Sequence, residues 1–293
     1  MAVTLPAACG CDHEGIPSPG PFIVRTADGT ALAAERLPAD GPTVVLLHAG
    51  VADRRAWRAV AAELHERGAD VVAYDRRGFG ETPGAATPYR HTDDLLAVLD
   101  ATAAGPAFVV GNSQGGLIAL DVALAAPERV AGLVLVAPAV SGAPDPEVDD
   151  LDPATRRLDA DLERAWQAGD MDAVARLEVR LWLDGPEGPE GRVGGPACEL
   201  ALEMSAIALR SGQPEDAGAG DEDAWSRLEE IRVPATVAWG ALDLPHFREQ
   251  TRVLAGRLGN VREVVELPGV AHLPALERPD LVAGLVATAA GLR

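Results

Sequence analysis

Short apolar runs alternate with amphipathic stretches along most of the chain. The segment TVVLLH at Thr43–His48 is almost wholly apolar and rich in β-branched residues, which is typical of a parallel strand buried on both faces. Similar runs predict further strands, the first two of which flank a turn at Asp28-Gly29. The predicted strands are Phe22–Arg25, Ala31–Leu37, Thr43–His48, Asp70–Tyr74, Ala107–Gly111, Val130–Ala137, Val233–Trp239 and Arg262–Leu267.

Helical periodicity fills most of the intervals between these strands. Because strands and helices alternate, we predict an α/β fold in which a mainly parallel sheet is wrapped by helices. The predicted helices of this core are Trp57–Arg67, Thr92–Ala104, Gly115–Ala126 and Pro274–Leu292.

The alternation is interrupted once, by a long acidic stretch without a convincing strand. Amphipathic patterns at Thr155–Gln167, Met171–Leu183 and Ala197–Arg210 predict helices there, joined by Pro- and Gly-rich segments. The insertion begins at the carboxyl end of a strand, the edge at which open α/β sheets bind their ligands, and we interpret it as a lid. The predicted division is a loose leader at 1–20, an α/β core at 21–140 and 232–293, and a helical lid (cap) at 141–231.

Composition and charge narrow the classes of partner. With 293 residues, 47% of them hydrophobic and 24% charged, the chain is typical of a soluble globular protein. A formal net charge of −20 argues against nucleic acid or an anionic membrane, and favours a small neutral, partly apolar substrate. We expect a monomer or a homodimer.

Three cysteines provide no disulfide framework, so we expect a cytoplasmic protein. Cys9, Cys11 and His13 lie together, but no further cluster completes the four ligands of a metal site. We therefore expect neither a metal nor another cofactor.

Ser113 is the candidate nucleophile. It lies in Gly111-Asn112-Ser113-Gln114-Gly115-Gly116, between a predicted strand and a predicted helix, which is the context that gives G-x-S-x-G its meaning. The crowded turn requires small residues on either side of the serine, and the N-terminus of the helix offers free N–H groups to an oxyanion. The alternative is a serine that only caps the helix.

A serine nucleophile requires a base and a carboxylate that orients the base. Of the six histidines, only His272 lies late in the chain in a loop after a predicted strand, as the order Ser, Asp, His requires; a surface histidine is the alternative. Asp243 follows the strand Val233–Trp239 and is the candidate acid. Asp145 and Glu277 are its rivals.

Segments from about Val44 to Pro279 then suggest a family. They are LLHAG, YDRRGFGET, GNSQGG, PERVAGLVLVAP, WGALD and PGVAHLPALERP. In these segments the chain resembles the α/β-hydrolase superfamily, in the branch of bacterial esterases, enol-lactonases and meta-cleavage-product hydrolases. The resemblance implies the α/β-hydrolase fold with an inserted lid.

The resemblance also implies an oxyanion hole built from two backbone N–H groups. One belongs to Gln114, and the other to the loop after His48. Where His-Gly-X is usual, this chain has His-Ala-Gly, so Gly50 is the expected donor, with Ala49 or Val51 as alternatives. In the segment YDRRGFGET, we expect the two arginines to make structural ion pairs rather than to bind substrate.

The expected reaction is hydrolysis of a carboxylic ester or lactone through an acyl-enzyme on Ser113. Carbon–carbon bond hydrolysis of a vinylogous diketone stays open because Asn112 occurs in such relatives, although Leu273 stands where they carry tryptophan. Acyl transfer or cyclisation in natural-product assembly, and a small-molecule receptor, are further alternatives. Candidate pocket residues, which could equally pack the lid onto the sheet, are Val51, Trp166, Trp182, Met204 and Leu273.

Overall fold

A computed structural model describes residues 20–85, 88–211 and 222–293. Its strands are β1 (Gly20–Arg25), β2 (Ala31–Leu37), β3 (Thr43–Leu47), β4 (Asp70–Tyr74), β5 (Ala107–Asn112), β6 (Val130–Val136), β7 (Ala235–Gly240) and β8 (Val261–Leu267). They form an eight-stranded sheet in the order β1-β2-β4-β3-β5-β6-β7-β8. β2 is antiparallel to both of its neighbours, and every other pair is parallel. The predicted mainly parallel sheet is confirmed.

Helices cover both faces of the sheet. They are α1 (Arg58–Glu66), α2 (His91–Thr102), α3 (Gln114–Ala125), α4 (Pro153–Gln167), α5 (Met171–Val179), α6 (Gly195–Ser211), α7 (Ala224–Arg227), α8 (Pro245–Arg257), α9 (Pro274–Glu277) and α10 (Pro279–Ala290). Hydrophobic residues of α2, α3 and α8 pack on one face, and those of α1 and α10 pack on the other. No helix within the described part of the chain combines the length and apolar character needed to cross a bilayer.

β3 explains why the central strands are apolar without alternation. Val45 and Leu47 belong to the core on the α2–α3 face, whereas Val44 and Leu46 belong to the core on the α1–α10 face. All four side chains are fully buried. Because successive residues of a strand point to opposite faces, a strand covered on both faces needs apolar residues at every position.

Three helical predictions required correction. The segment Pro245–Arg257 forms α8, although no helix was expected there. It escaped prediction because it buries only Thr251 and Leu254 and therefore lacks a strong apolar stripe. The helix expected over Pro274–Leu292 is interrupted at Arg278, because the following Pro279 disfavours helical backbone before it. The helix expected over Met171–Leu183 becomes a π-helical turn at Arg180–Asp184.

The inserted region lies between β6 and β7 and contains α4 to α7. No strand occurs in it among the residues that the structure describes, in agreement with the helical patterns. Most of the proposed leader lies outside the described residues, but Gly20 already belongs to β1, so the leader was drawn one residue too long.

A buried ion network joins the sheet to the turn before α1. Arg54, with a side chain only 6% exposed, contacts the carboxylates of Asp75, Glu35 and Glu81. The Asp75 carboxylate also accepts hydrogen bonds from the backbone N–H groups of Arg54 and Glu81. Burial nevertheless raises the pKa of Asp75 to about 6. The positive charge of Arg54 thus offsets the free-energy cost of burying the Asp75 carboxylate.

We expect Arg54→Met to lower the free energy of unfolding by about 3–5 kcal/mol, because it leaves the Asp75 carboxylate buried without its cation. The matched control is Arg164→Met, which removes a guanidinium that is 71% exposed and pairs with Asp161 on the surface of α4. This control should change the free energy of unfolding by less than about 0.5 kcal/mol. Urea denaturation measures both, and equal effects would contradict the argument.

Candidate active site

The candidate catalytic residues lie at one edge of the sheet. Ser113 follows β5, Asp243 follows β7, and His272 follows β8. These strands run parallel within one sheet, so their carboxyl ends share an edge. The loop at His48–Gly50 leaves β3 at the same edge.

Ser113 occupies a strained turn between β5 and α3. Its φ of 52° lies in the left-handed region that residues with a β-carbon avoid. The flanking glycines explain how the turn closes: a β-carbon at Gly111 would lie 2.3 Å from the carbonyl oxygen of Gly115. A β-carbon at Gly115 would lie 2.3 Å from the carbonyl oxygen of Leu47. The turn therefore holds the serine side chain at the end of the strand, as G-x-S-x-G predicts.

His272 and Asp243 are in direct contact. The Nδ1 atom of His272 lies 2.9 Å from both carboxylate oxygens of Asp243, and each residue is 1% exposed. The backbone N–H of Leu244 donates a further hydrogen bond to the carboxylate. An ionised carboxylate only accepts, so Nδ1 carries the proton and Nε2 of a neutral imidazole is left with its lone pair.

Nε2 of His272 is buried and makes no hydrogen bond to any residue that the structure describes. Ser113 Oγ is thus not hydrogen-bonded to it in this structure. Hydrogen bonds between a nucleophile and its base are commonly long before substrate binds and tighten in the complex. The contact that the structure does form is the one between the histidine and its acid.

The two rival acids, Glu277 and Asp145, do not contact the imidazole of His272 in the structure. Glu277 accepts a hydrogen bond from the backbone N–H of Ala271 at 2.9 Å and pairs with Arg192. Asp145 is exposed in the loop after β6. Of the three candidate acids, only Asp243 contacts the imidazole.

The loop that carries His272 is held by groups that the sequence did not single out for this task. Nδ2 of Asn112 donates to the carbonyl oxygen of His272 at 3.1 Å and to that of Val136 at 3.0 Å. The backbone N–H of His272 donates to the carbonyl oxygen of Trp182, in the π-helical turn of the inserted region. Both amide hydrogens of Asn112 therefore have structural partners.

Arg192 ties the inserted region to the same loop. Its guanidinium donates to the carbonyl oxygens of Leu183 and Asp184, both in the π-helical turn. It also donates to the carbonyl oxygen of Gly269 and to Glu277. These bonds connect the turn that carries Trp182 to the segment that precedes His272. Nothing local in the sequence marks Arg192 for this task, because Gly269 and Glu277 come from a distant segment.

The two residues that carry the candidate oxyanion donors, Gly50 and Gln114, are neighbours in space. Gln114 is the first residue of α3, so its N–H has no partner within the helix. The Oε1 atom of the same residue lies 3.2 Å from the position that a β-carbon at Gly50 would take. The loop after β3 and the start of α3 therefore meet beside Ser113.

The two neighbouring arginines after β4 differ from each other. Arg77 pairs with Asp94 and Asp28, as predicted. For Arg76 the prediction of an ion pair was wrong: its guanidinium donates to Gln114 Oε1 and to the carbonyl oxygen of Ala49. No carboxylate binds Arg76 in the described chain, and its side chain is almost fully buried.

Four of the five candidate pocket residues meet in one apolar cluster. Met204 and Leu273 are buried in it, and Val51 and Trp182 pack against it. Trp166 is not part of the cluster; it is 56% exposed on α4 and lines a separate surface cavity of about 550 Å³ with residues of α4 and α5.

Aromatic rings cover the imidazole of His272. The centroid of the Trp182 ring lies 4.7 Å from the centroid of the imidazole. The ring of Phe247, on α8, packs on another side of the imidazole, with its centroid also at 4.7 Å. Phe247 was missed because its helix was not predicted. The segment from Cys9 to His13 lies outside the described residues, and within the described ranges no group of three His, Cys, Asp or Glu side chains is suited to a metal ion.

Comparison with known proteins agrees with this geometry. The family model for the alpha/beta hydrolase fold matches residues 42–185. A solved hydrolase from Pseudomonas aeruginosa superimposes with a TM-score of 0.73 at 26% identity, over 92% of this chain and 98% of the other. The chain has the α/β-hydrolase fold. Est816, described as an N-acyl homoserine lactone degrading enzyme, superimposes with a TM-score of 0.69 at 26% identity, over 91% and 99% of the two chains.

The lipase LipV of Mycobacterium tuberculosis is 38% identical over 187 residues, which are 62% of this chain and 64% of the lipase. The chain spans between 39% and 64% of the length of three curated relatives, named as hydrolases of carbamates, lipids or esters. These relatives agree with the family predicted from the sequence motifs.

We expect Gly115→Ala to impair the site, because the new β-carbon would collide with the carbonyl oxygen of Leu47 and displace Ser113. Overpacking of this kind costs about 1–3 kcal/mol of stability, and a shift of the nucleophile by about 1 Å can cost about 100-fold in rate. Gly284→Ala in α10 is the control, since its β-carbon meets nothing within 4 Å and alanine favours the helix. In denaturation experiments Gly115→Ala should be less stable than wild type, whereas Gly284→Ala should be at least as stable. Only Gly115→Ala should hydrolyse a p-nitrophenyl ester more slowly, and a fully active Gly115→Ala would contradict the argument.

Asp243→Asn should lower kcat by about 10⁴-fold, since the amide would favour the wrong tautomer of His272. Glu277→Gln is the matched change at the rival acid. Its amide oxygen can still accept from the backbone N–H of Ala271 and only the bond from Arg192 is lost, so we expect a far smaller loss of kcat. If Glu277→Gln were the more damaging variant in steady-state assays, Asp243 would not be the acid.

Proposed function

We propose that this protein hydrolyses a neutral carboxylic ester or lactone through an acyl-enzyme on Ser113, with His272 as base and Asp243 as the acid that orients it. The observation that carries the proposal is the buried contact between Nδ1 of His272 and both oxygens of Asp243. It leaves Nε2 as a base in a buried position without a protein partner among the described residues. The strained turn at Ser113, on the same sheet edge, supplies the nucleophile.

In the acylation step, Oγ of Ser113 attacks the carbonyl carbon and its proton passes to Nε2 of His272. The imidazolium that forms is stabilised by the Asp243 carboxylate at Nδ1. The N–H groups of Gln114 and Gly50 are the proposed donors to the carbonyl oxygen, which becomes negatively charged in the tetrahedral intermediate. The imidazolium then protonates the leaving alkoxide, and the carbon–oxygen bond breaks.

In the deacylation step, water takes the place of the leaving alcohol. Nε2 of His272 removes a proton from the water as its oxygen attacks the acyl carbon, and the same two N–H groups receive the oxyanion. Collapse of the intermediate returns the proton to Ser113 and releases the carboxylic acid. The whole cycle uses side chains and backbone groups of this chain alone.

A neutral and partly apolar substrate suits the surroundings of the site. The rings of Trp182 and Phe247 pack on His272, and the adjoining cluster of Met204 and Leu273 is apolar. The net charge of −20 opposes the approach of strongly anionic substrates. The printed names of LipV and of Est816, a lipase and a lactone-degrading enzyme, support this bond class.

Carbon–carbon bond hydrolysis, the rival reaction, loses the residue that favoured it. Asn112 was the residue that favoured it, but both of its amide hydrogens are used on the carbonyl oxygens of Val136 and His272. The position of Asn112 therefore follows from its structural task. A receptor without turnover is distinguished from an enzyme by the experiment that follows.

Wild-type protein should release p-nitrophenol from a short-chain p-nitrophenyl ester and be labelled on Ser113 by a fluorophosphonate. Ser113→Ala should abolish labelling and lower turnover by about 10⁴-fold or more. Ser226→Ala is the control, because this hydroxyl is exposed and bonds only to Asp223; it should behave as wild type. Mass spectrometry of the labelled peptide identifies the residue. Wild-type protein with neither labelling nor turnover would refute the proposal.

A further inference from the structure

Arg76 is a buried cation whose position is unexplained by ion pairing. Its side chain is 1% exposed, and no carboxylate binds it among residues 20–85, 88–211 and 222–293. The guanidinium packs over the ring of Phe79, and its Nε atom is buried without a hydrogen-bond partner. Burying a guanidinium without a counter-ion is costly, so its position calls for a compensating role.

Two hydrogen bonds of the Arg76 guanidinium reach groups attached to the two proposed oxyanion donors. Nη1 donates to Oε1 of Gln114 at 2.6 Å. Nη2 donates to the carbonyl oxygen of Ala49 at 3.1 Å. That carbonyl belongs to the same peptide group as the N–H of Gly50. In a trans peptide the C=O and N–H bonds point in opposite directions, so a group that fixes the carbonyl also aims the N–H.

His48 holds the same peptide group from a second direction. Its Nε2 atom accepts the backbone N–H of Arg76 at 3.1 Å, which requires the proton to be on Nδ1. Nδ1 then donates to the carbonyl oxygen of Ala49 at 2.8 Å. Burial and the nearby Arg76 keep the pKa of His48 well below its usual value, so the imidazole stays neutral. The Ala49 carbonyl thus receives two donors, of which only Arg76 is charged.

We propose that Arg76 is a positioning residue of the oxyanion hole, which aims the Gly50 N–H through the Ala49 carbonyl and anchors the side chain of Gln114. This inference rests on the proposed function. A charged donor on the carbonyl also polarises the peptide and strengthens its N–H as a donor. The benefit grows with the negative charge on the substrate oxygen, so it acts on the transition state more than on bound substrate.

The kinetic consequence is a fall in kcat with little change in KM. Arg76→Met keeps an unbranched apolar stem but removes the guanidinium, and with it the charge and both hydrogen bonds. We expect kcat to fall by about 10²–10³-fold, the loss typical of one oxyanion donor. Binding of a boronic acid, which forms a tetrahedral anion on Ser113, should weaken in parallel with kcat/KM. Binding of the alcohol product should not change.

Arg76→Lys provides a second readout that a purely structural role would not produce. Burial already lowers the pKa of Arg76 to about 10, and a buried lysine would titrate at still lower pH. We expect kcat of Arg76→Lys to fall as the pH rises from 7 to 9, while wild type and Arg76→Met lack this added dependence. The lysine is charged at the low end of that range, so its activity should approach wild type there.

Arg77→Met is the matched control, since the neighbouring arginine pairs with Asp28 and Asp94 away from the donors. It should lower the melting temperature but leave kcat of the folded enzyme nearly unchanged. A folded Arg76→Met with the kcat and boronate affinity of wild type would overturn the inference alone. If Arg76→Met does not fold, a Lys variant without the pH dependence overturns it. Wild-type protein that neither turns over ester nor binds the boronate would overturn both the inference and the proposed function.

Discussion

The parallel register of the central strands is the constraint on which the candidate site depends. Leu47 lies opposite Gly111, and Gly240 lies opposite Leu267, so the strands that carry the site end at the same edge. The loops that follow them bear the serine, the acid, the histidine and the proposed oxyanion donors. Displacing one strand by one residue would move its loop by about 3.3 Å and turn each side chain to the other face. The fully buried apolar strands prevent that displacement.

The inserted region is fastened to this edge by its backbone. The N–H of His272 donates to the carbonyl oxygen of Trp182, and Arg192 joins the same π-helical turn to Gly269 and Glu277. The π-helical turn that covers the imidazole of His272 thus also helps to hold His272 in place. A fixed cover keeps the imidazole dry, and a dry site strengthens each electrostatic interaction within it. π-Helical turns are frequent at functional sites, which agrees with the position of this one.

Sequence patterns predicted the sheet and the turn at Ser113, because each depends on residues that are near one another in the chain. They also proposed Asp243 and His272 as a pair, and the structure places these two side chains in contact. The structure adds relations between distant segments. Asn112 meets His272, and Arg192 meets Glu277, across separations that no local pattern encodes. The helix containing Phe247 was missed for a related reason, since a helix that buries few residues has almost no apolar stripe. The grouping of the inserted region with Leu273 in one apolar cluster is likewise a tertiary property.

Arg76 and Arg77 show how far local sequence can mislead. They are chemically identical neighbours in one motif, yet one neutralises two aspartates while the other has no carboxylate and holds a peptide carbonyl. The unpaired guanidinium and the positive φ of Ser113 are both unfavourable in isolation. A folded protein tolerates such unfavourable groups only where the surrounding structure holds them in place. Here that support comes from strands buried on both faces and from the ion pairs around Arg54. The unfavourable groups and the ion network that supports them therefore lie at the same carboxyl-terminal edge of the sheet, since Asp75 follows β4 directly, as Ser113 follows β5.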